Sequence, residues 1–219
     1  IQILGDVLDL GVPSDATVST AKLADSSVTT AKLNDASVSL AKLTATGTKS
    51  SSTFLRGDNT FAEVVSGLTM ADQFRLTADY TFSSPGALTA NLERVDGTNQ
   101  GTLGTGMSES SGVFTFPSTG IYLVRFSAQQ YKNGDRRDIQ INIETTSNNS
   151  SYANIAECIT HITQSASNTT YIQGMTETIL DITDTSNQKV RFAVFTDATT
   201  AGSSTKNKTF MTFIRLGDT

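Results

Sequence analysis

The residues able to do covalent chemistry in this chain are few and badly spaced for it. There is one cysteine, Cys158, and one histidine, His161. They stand three apart in a stretch that alternates like a strand, so their side chains point to opposite faces and form no local nucleophile–base pair. Cys158 is expected in the core, and His161 facing outward or at a subunit contact. This pair is too small a set for a zinc site, and a lone cysteine allows no intrachain disulfide. No Gly-rich phosphate loop is present; Gly101 to Gly106 reads as a flexible hairpin loop. Glycan cleavage needs two carboxylates facing each other across a groove. Asp135, Asp138, Glu144, Glu157, Glu177 and Asp181 are scattered through strands and turns, and nothing in the spacing pairs them. No catalytic residue, cofactor or metal is therefore assigned, and an enzyme is not expected.

Two short segments point to recognition instead. Lys132-Asn133-Gly134-Asp135-Arg136-Arg137-Asp138 is the densest charged segment. It reads as a solvated hairpin turn or, more sharply, as a receptor or glycan contact made by Lys132, Asp135 and Arg136, with Tyr131 as a stacking surface. Arg56-Gly57-Asp58 is the tripeptide that integrins read, but Gly57-Asp58-Asn59 is also a turn signal, and the tight turn is preferred. The balance of 16 basic against 21 acidic groups, net −5, argues against nucleic acid as a partner, because phosphate neutralisation needs clustered Lys and Arg. No stretch approaches the roughly 20 apolar residues of a membrane span, so no membrane insertion is expected.

The elements that must hold these segments fall into two parts. Residues 15–44 repeat with a period of 10: DATVSTAKLA, DSSVTTAKLN, DASVSLAKLT. Each copy offers one Val and one Leu five positions apart. At about 25 cal/mol per Å² those two side chains contribute only a few kcal/mol when buried. Ordering ten residues costs on the order of 10–20 kcal/mol in backbone entropy. A single copy cannot fold alone, so Val18, Val28, Val38 and Leu23, Leu33, Leu43 are expected on the axis of a homotrimer, facing their counterparts in two sister chains. The local expectation is a short extended piece, then one helical turn at Thr-Ala-Lys-Leu with Ser or Thr as N-cap and Lys at its C-terminal end. Asp-x-Ser segments supply the turns. The plainer alternative is a disordered Ser/Thr-rich linker. Residues 45–69 form a connector with Phe54, Leu55 and Phe61 as packing anchors around Gly57-Asp58-Asn59.

From Met70 onward the pattern alternates. Strands are expected at Phe74–Phe82, Val113–Phe116, Gly120–Tyr131, Asp138–Thr145, Tyr152–Thr163, Thr170–Ile182, Lys189–Thr196 and Lys208–Leu216. Only 37% of residues are hydrophobic and 17% are charged, with Ser, Thr, Asn and Gly filling the gap, as suits strands with one wet face. Many strands, polar turns and almost no helix signal predict an all-β sandwich or jelly roll over 70–219. Its core is expected to hold Phe114, Phe116, Tyr122, Phe126, Phe192, Phe210 and Phe213. Residues 1–14 are left as an N-terminal attachment segment. Because the chain opens on Ile1 rather than Met, it is expected to start inside a longer one.

Two resemblances extend this reading. The decapeptide Val28-Thr29-Thr30-Ala31-Lys32-Leu33 and the join Phe54-Leu55-Arg56-Gly57-Asp58-Asn59-Thr60-Phe61 resemble shaft segments of bacteriophage fibre proteins, with Asn59 where those have Gly and Phe61 where they have Trp. The string Gly112–Phe126, with Lys189-Val190-Arg191-Phe192 and Thr209-Phe210-Met211-Thr212-Phe213-Ile214, resembles the jelly-roll head of complement globular domains and tumour necrosis factor. Both resemblances imply a homotrimer. Together they imply an external virion fibre held at its N-terminal end by another virion protein, with a head that attaches to a host-surface glycan or protein. A capsid decoration fibre, a tail component without receptor contact and a bacterial surface adhesin remain open at this point.

Overall fold

The structure, a computed structural model, describes residues 18–34, 37, 42, 44–63, 67–82 and 85–219. The chain divides into two compact units, Ile1–Val64 and Val65–Thr219.

In the first unit the described parts of the first two decapeptides adopt the same conformation. Short 3₁₀ turns span Thr20–Lys22 and Thr30–Lys32, each entered from an extended residue, Ser19 or Thr29, and left through Leu23 or Leu33. The backbone hydrogen bonds repeat with the sequence: Lys22 N to Ser19 O and Ser27 N to Ala24 O recur as Lys32 N to Thr29 O and Ser37 N to Asn34 O. Ser19 and Thr29 occupy the cap position but make no side-chain cap bond. In so short a turn their backbone carbonyls already accept from Lys22 and Lys32. Lys32 Nζ donates to the Ser27 carbonyl at 2.7 Å, tying each end of its own copy together. Val18, Leu23, Val28 and Leu33 are all about half exposed in the single chain, from 46% to 53%. Val38 and Leu43 lie outside the described residues. The join folds as a hairpin of β1 (Thr53–Leu55) and β2 (Phe61–Glu63). Phe61 is half buried, whereas Phe54 and Leu55 are exposed and are not anchors within one chain.

In the second unit the strands are β3 (Met70–Leu76), β4 (Gly86–Ala87), β5 (Leu92–Arg94), β6 (Ser108–Ser110), β7 (Val113–Thr115), β8 (Gly120–Lys132), β9 (Arg136–Thr146), β10 (Ala153–Ile162), β11 (Thr170–Ile182), β12 (Lys189–Phe195), β13 (Thr199–Thr200) and β14 (Phe210–Gly217). One sheet runs β10-β9-β12-β7-β6 with β4 beside β12, the other β11-β8-β14-β3-β5 with β13 beside β8. The pairings are antiparallel, and β6–β7 and β9–β10 are hairpins; most other links cross from sheet to sheet, which makes a jelly-roll sandwich. Two connections therefore differ from expectation. Residues 133–135 join β8 to β9 in the opposite sheet and are no hairpin turn. Gly101 to Gly106 likewise lies on the crossover from β5 to β6, and it is pinned by Asp72, which accepts from Thr102 Oγ1 and the Met107 amide. The strand expected at Phe74–Phe82 instead spans Met70–Leu76; its start was hidden because Asp72, buried in the inward phase, interrupts the apolar alternation.

Aromatic rings fill the space between the sheets. Phe114 meets Phe74 edge-on at 5.0 Å and Phe192 at 5.4 Å, and Phe192 packs on Phe126 at 5.0 Å. Phe116, Tyr122 and Phe213 are equally buried. Phe210 is the exception among the expected core aromatics. On β14 the inward phase is Met211 and Phe213, so Phe210 points outward, half exposed.

Candidate functional site

At one end of the sandwich the charged segment is built from the last residues of β8 and the first of β9. Tyr131 donates its hydroxyl to Asp79 Oδ2 at 2.6 Å, and its ring lies 5.1 Å from that of Tyr171 on β11. This hydrogen bond holds the Asp79 carboxyl below the usual carboxylate range and pushes the Tyr131 phenol up. Lys132 Nζ is 2.5 Å from Asp197 Oδ2, and Arg136 Nε lies 3.2 Å from Asp197 Oδ1 without the alignment of a hydrogen bond. The Lys132 bond, then the neighbouring cations, lower the Asp197 carboxyl. Asp135 Oδ1 accepts from the Gln164 amide at 2.6 Å. The four candidate contact residues thus come together at one loop end, but all four are already engaged in holding it: three by hydrogen bonds, Arg136 by its ion pair. Cys158 packs against the core, and His161 is exposed on the opposite phase of β10. Among the described residues no cluster of three or more His, Cys, Asp or Glu could hold a metal ion. No helix there is long and apolar enough to cross a membrane.

A second surface escaped the sequence reading. The outward face of the β11-β8-β14-β3 sheet carries a continuous apolar rung, formed by the cross-strand partners Ile179, Leu123, Ile214 and Ala71. Ile179 is 63% exposed. Two further rungs lie along the same face. Met175, 54% exposed, is in register with Ser127, which pairs in turn with Phe210. Tyr171, 56% exposed, is opposite Tyr131. The signal was present in the sequence. β11 is apolar in both phases, with Ile172, Leu180 and Ile182 inward and Tyr171, Met175 and Ile179 outward, and a strand of that kind expects cover on both sides.

Solved structures share the fold of this sandwich. The structure of Eiger TNF from S. frugiperda superposes with a TM-score of 0.52 over 70% of this chain and 96% of that one, at 13% identity. The head has a tumour-necrosis-factor-like jelly roll. Murine APRIL at pH 8.0 is similar at a TM-score of 0.49, 13% identity, 67% of this chain and 98% of its own. No protein-family model and no curated protein sequence matches the chain.

Proposed function

We propose that the chain is one protomer of a homotrimeric, external virion fibre, with a decapeptide stalk and a jelly-roll head that attaches to the host surface and has no enzymatic role. The observation that carries this reading is apolar surface left uncovered in both units: the half-exposed Val and Leu that recur every ten residues, and in the head the exposed Ile179, continued across half-buried Leu123, Ile214 and Ala71. A Val, Leu or Ile gains about 1.5–3 kcal/mol between full exposure and full burial, and the exposed part of each of these side chains gains its share of that, which favours a closed, self-complementary assembly over an exposed monomer. A trimer of identical heads on one stem also suits attachment, since three weak contacts on a common support act together.

The test is competition. Soluble full-length protein at saturating concentration should block adsorption of particles carrying the chain to their host cells, and equilibrium sedimentation should give three times the 23.3 kDa chain mass. A stable monomer in sedimentation, or undiminished adsorption, would overturn the corresponding half of the reading.

A further inference from the structure

Residues 133–135, on the crossover from β8 to β9, also clamp the connection from β10 to β11. Asn133 Oδ1 accepts from Gln164 Nε2 at 2.5 Å, and Asp135 Oδ1 accepts from the Gln164 backbone amide at 2.6 Å. Asn133 is exposed and is followed by Gly134, the only Asn-Gly step in the chain. The Gly134 amide lies between two strands and donates no hydrogen bond among the described residues. Gly134 has a φ of +129°, and nothing stands within 4 Å of where a Cβ would be, so its nitrogen is open to approach.

A free amide after an asparagine is a nucleophile for that asparagine's own side chain, and most other asparagines of this chain lack one. The amides that follow Asn59, Asn99, Asn148, Asn149, Asn187 and Asn207 each already donate a hydrogen bond, for instance Asn149 N to Asn187 O at 3.0 Å and Gln188 N to Asp184 O at 2.9 Å. Asn91 and Asn142 precede residues held in β5 and β9. Asn154 and Asn168 precede the β-branched Ile155 and Thr169, which crowd the nitrogen.

We propose that Asn133 is a self-modification site: it converts without an enzyme to aspartate and isoaspartate, and the isoaspartyl product opens the clamp on Gln164. The Gly134 nitrogen, having given its proton to solvent, attacks Asn133 Cγ and closes a succinimide ring. The Cγ–Nδ2 bond breaks, and Nδ2 takes up protons and leaves as ammonia. Nδ2 makes no hydrogen bond among the described residues, so nothing in the fold holds the leaving group back. Water then adds to one of the two ring carbonyls, and the ring opens to aspartate or isoaspartate. The sum is an amide plus water giving an acid plus ammonia, with no change of oxidation state. Aspartate keeps the backbone and an acceptor oxygen for Gln164 Nε2. Isoaspartate routes the main chain through the former side chain, which adds one methylene to the crossover and leaves the carboxylate on a shorter branch. The spacing that lets residues 133 and 135 both reach Gln164 is then lost.

The inference is independent of the attachment reading. Its test incubates the full-length protein in warm, mildly alkaline buffer. Conversion is followed by peptide mass spectrometry with fragmentation that separates isoaspartate from aspartate, and amide exchange at Gln164 is followed by nuclear magnetic resonance. Asn133 should be the first asparagine to convert, chiefly to isoaspartate, and the Gln164 amide should exchange several-fold faster in the converted protein than in fresh protein. Asn133→Asp adds the charge without the methylene and should keep the Gln164 amide protected. Asn133→Gln should stay unmodified at that position through the same incubation. Asn133 still intact when another asparagine has converted overturns the site. Isoaspartate at 133 with unchanged exchange at Gln164, or protection lost equally in fresh Asn133→Asp, overturns the opening of the clamp by the added methylene.

Discussion

Asp72 sits on β3 between Met70 and Phe74 with its carboxylate wholly removed from solvent. It is 3.1 Å from Arg94 Nε and accepts from the Met107 amide at 2.7 Å and from Thr102 Oγ1 at 3.2 Å, while Arg94 also reaches the Met107 carbonyl. Removing one partner of a buried pair strands the other charge and the amide it capped. Arg94 is 38% exposed and regains part of its hydration, which lowers the cost. Asp72→Ala should therefore destabilise the head by about 2–3 kcal/mol in denaturant titration, with early loss of amide protection across residues 101–107. Asp79 is the counterpart at the other end: it accepts from Tyr131 and from the Gly202 amide. Its carboxyl is lowered, so its contribution is full above the unfolded-state carboxylate range and is lost as pH falls through the lower folded value; Tyr131, raised, loses the same contact only as pH rises through its own elevated value. Acid should speed exchange of the Gly202 amide after correction for intrinsic rates, and Asp79→Asn should remove that pH dependence. At this scale the turn preferred from the sequence is what forms at Arg56-Gly57-Asp58: Asp58 accepts from the Thr60 hydroxyl at 2.6 Å and from its amide at 3.1 Å, so the carboxylate closes a turn.

Elements were legible wherever local chemistry determines them. The turn Ser111-Gly112 between β6 and β7 has both φ values positive, 51° and 83°, as a two-residue hairpin of matching twist requires. A Cβ on Gly112 would lie 2.0 Å from the Leu88 carbonyl oxygen. Gly112→Ala should cost about 2 kcal/mol or more of head stability, from strain and clash together, measured by thermal melting. Seven of the eight strand expectations could be read because each alternates over a half-wet sheet, whereas the one at Phe74–Phe82 lay several residues too late. Which sheet each strand joins could not, since periodicity says which face is buried and nothing about the neighbour; residues 133–135 and 101–106 looked like hairpin loops for that reason. In the decapeptide repeats, the periodic Thr-Ala-Lys turn was readable because the same residues recur in the same roles. Replacing Val28 and Leu33 with Asp tests their axial placement: a trimer that survives dilution and heating as wild type does would show that these side chains face water in the assembly too, whereas the expected outcome is dissociation at lower temperature or a stalk cleaved early by protease.

At the scale of the whole molecule, the remaining problem is how a chain with so little grease covers the surface it exposes. The head alone closes its sandwich with aromatic packing and then leaves Ile179, Met175 and Tyr171 in water on one face. That face spans four strands in register, and the Arg125–Glu177 ion pair at 2.7 Å lies between its Ile179 and Met175 rungs. Such a charged pair sets the register of an interface more than its strength, so the apolar rungs must supply most of the affinity. Ile179 is the most exposed of its residues and makes no contribution to the single head's core. Ile179→Asp should leave the far-ultraviolet circular dichroism of the head intact while shifting sedimentation of the full-length protein from trimer toward monomer. The opposite pattern, lost head structure with the trimer retained, would mean that the rung serves the fold of one chain and that the stalk alone holds three chains together. A conservative Ile179→Leu should behave as wild type in both measurements, because area and polarity, and not the shape of one side chain, are what the face contributes.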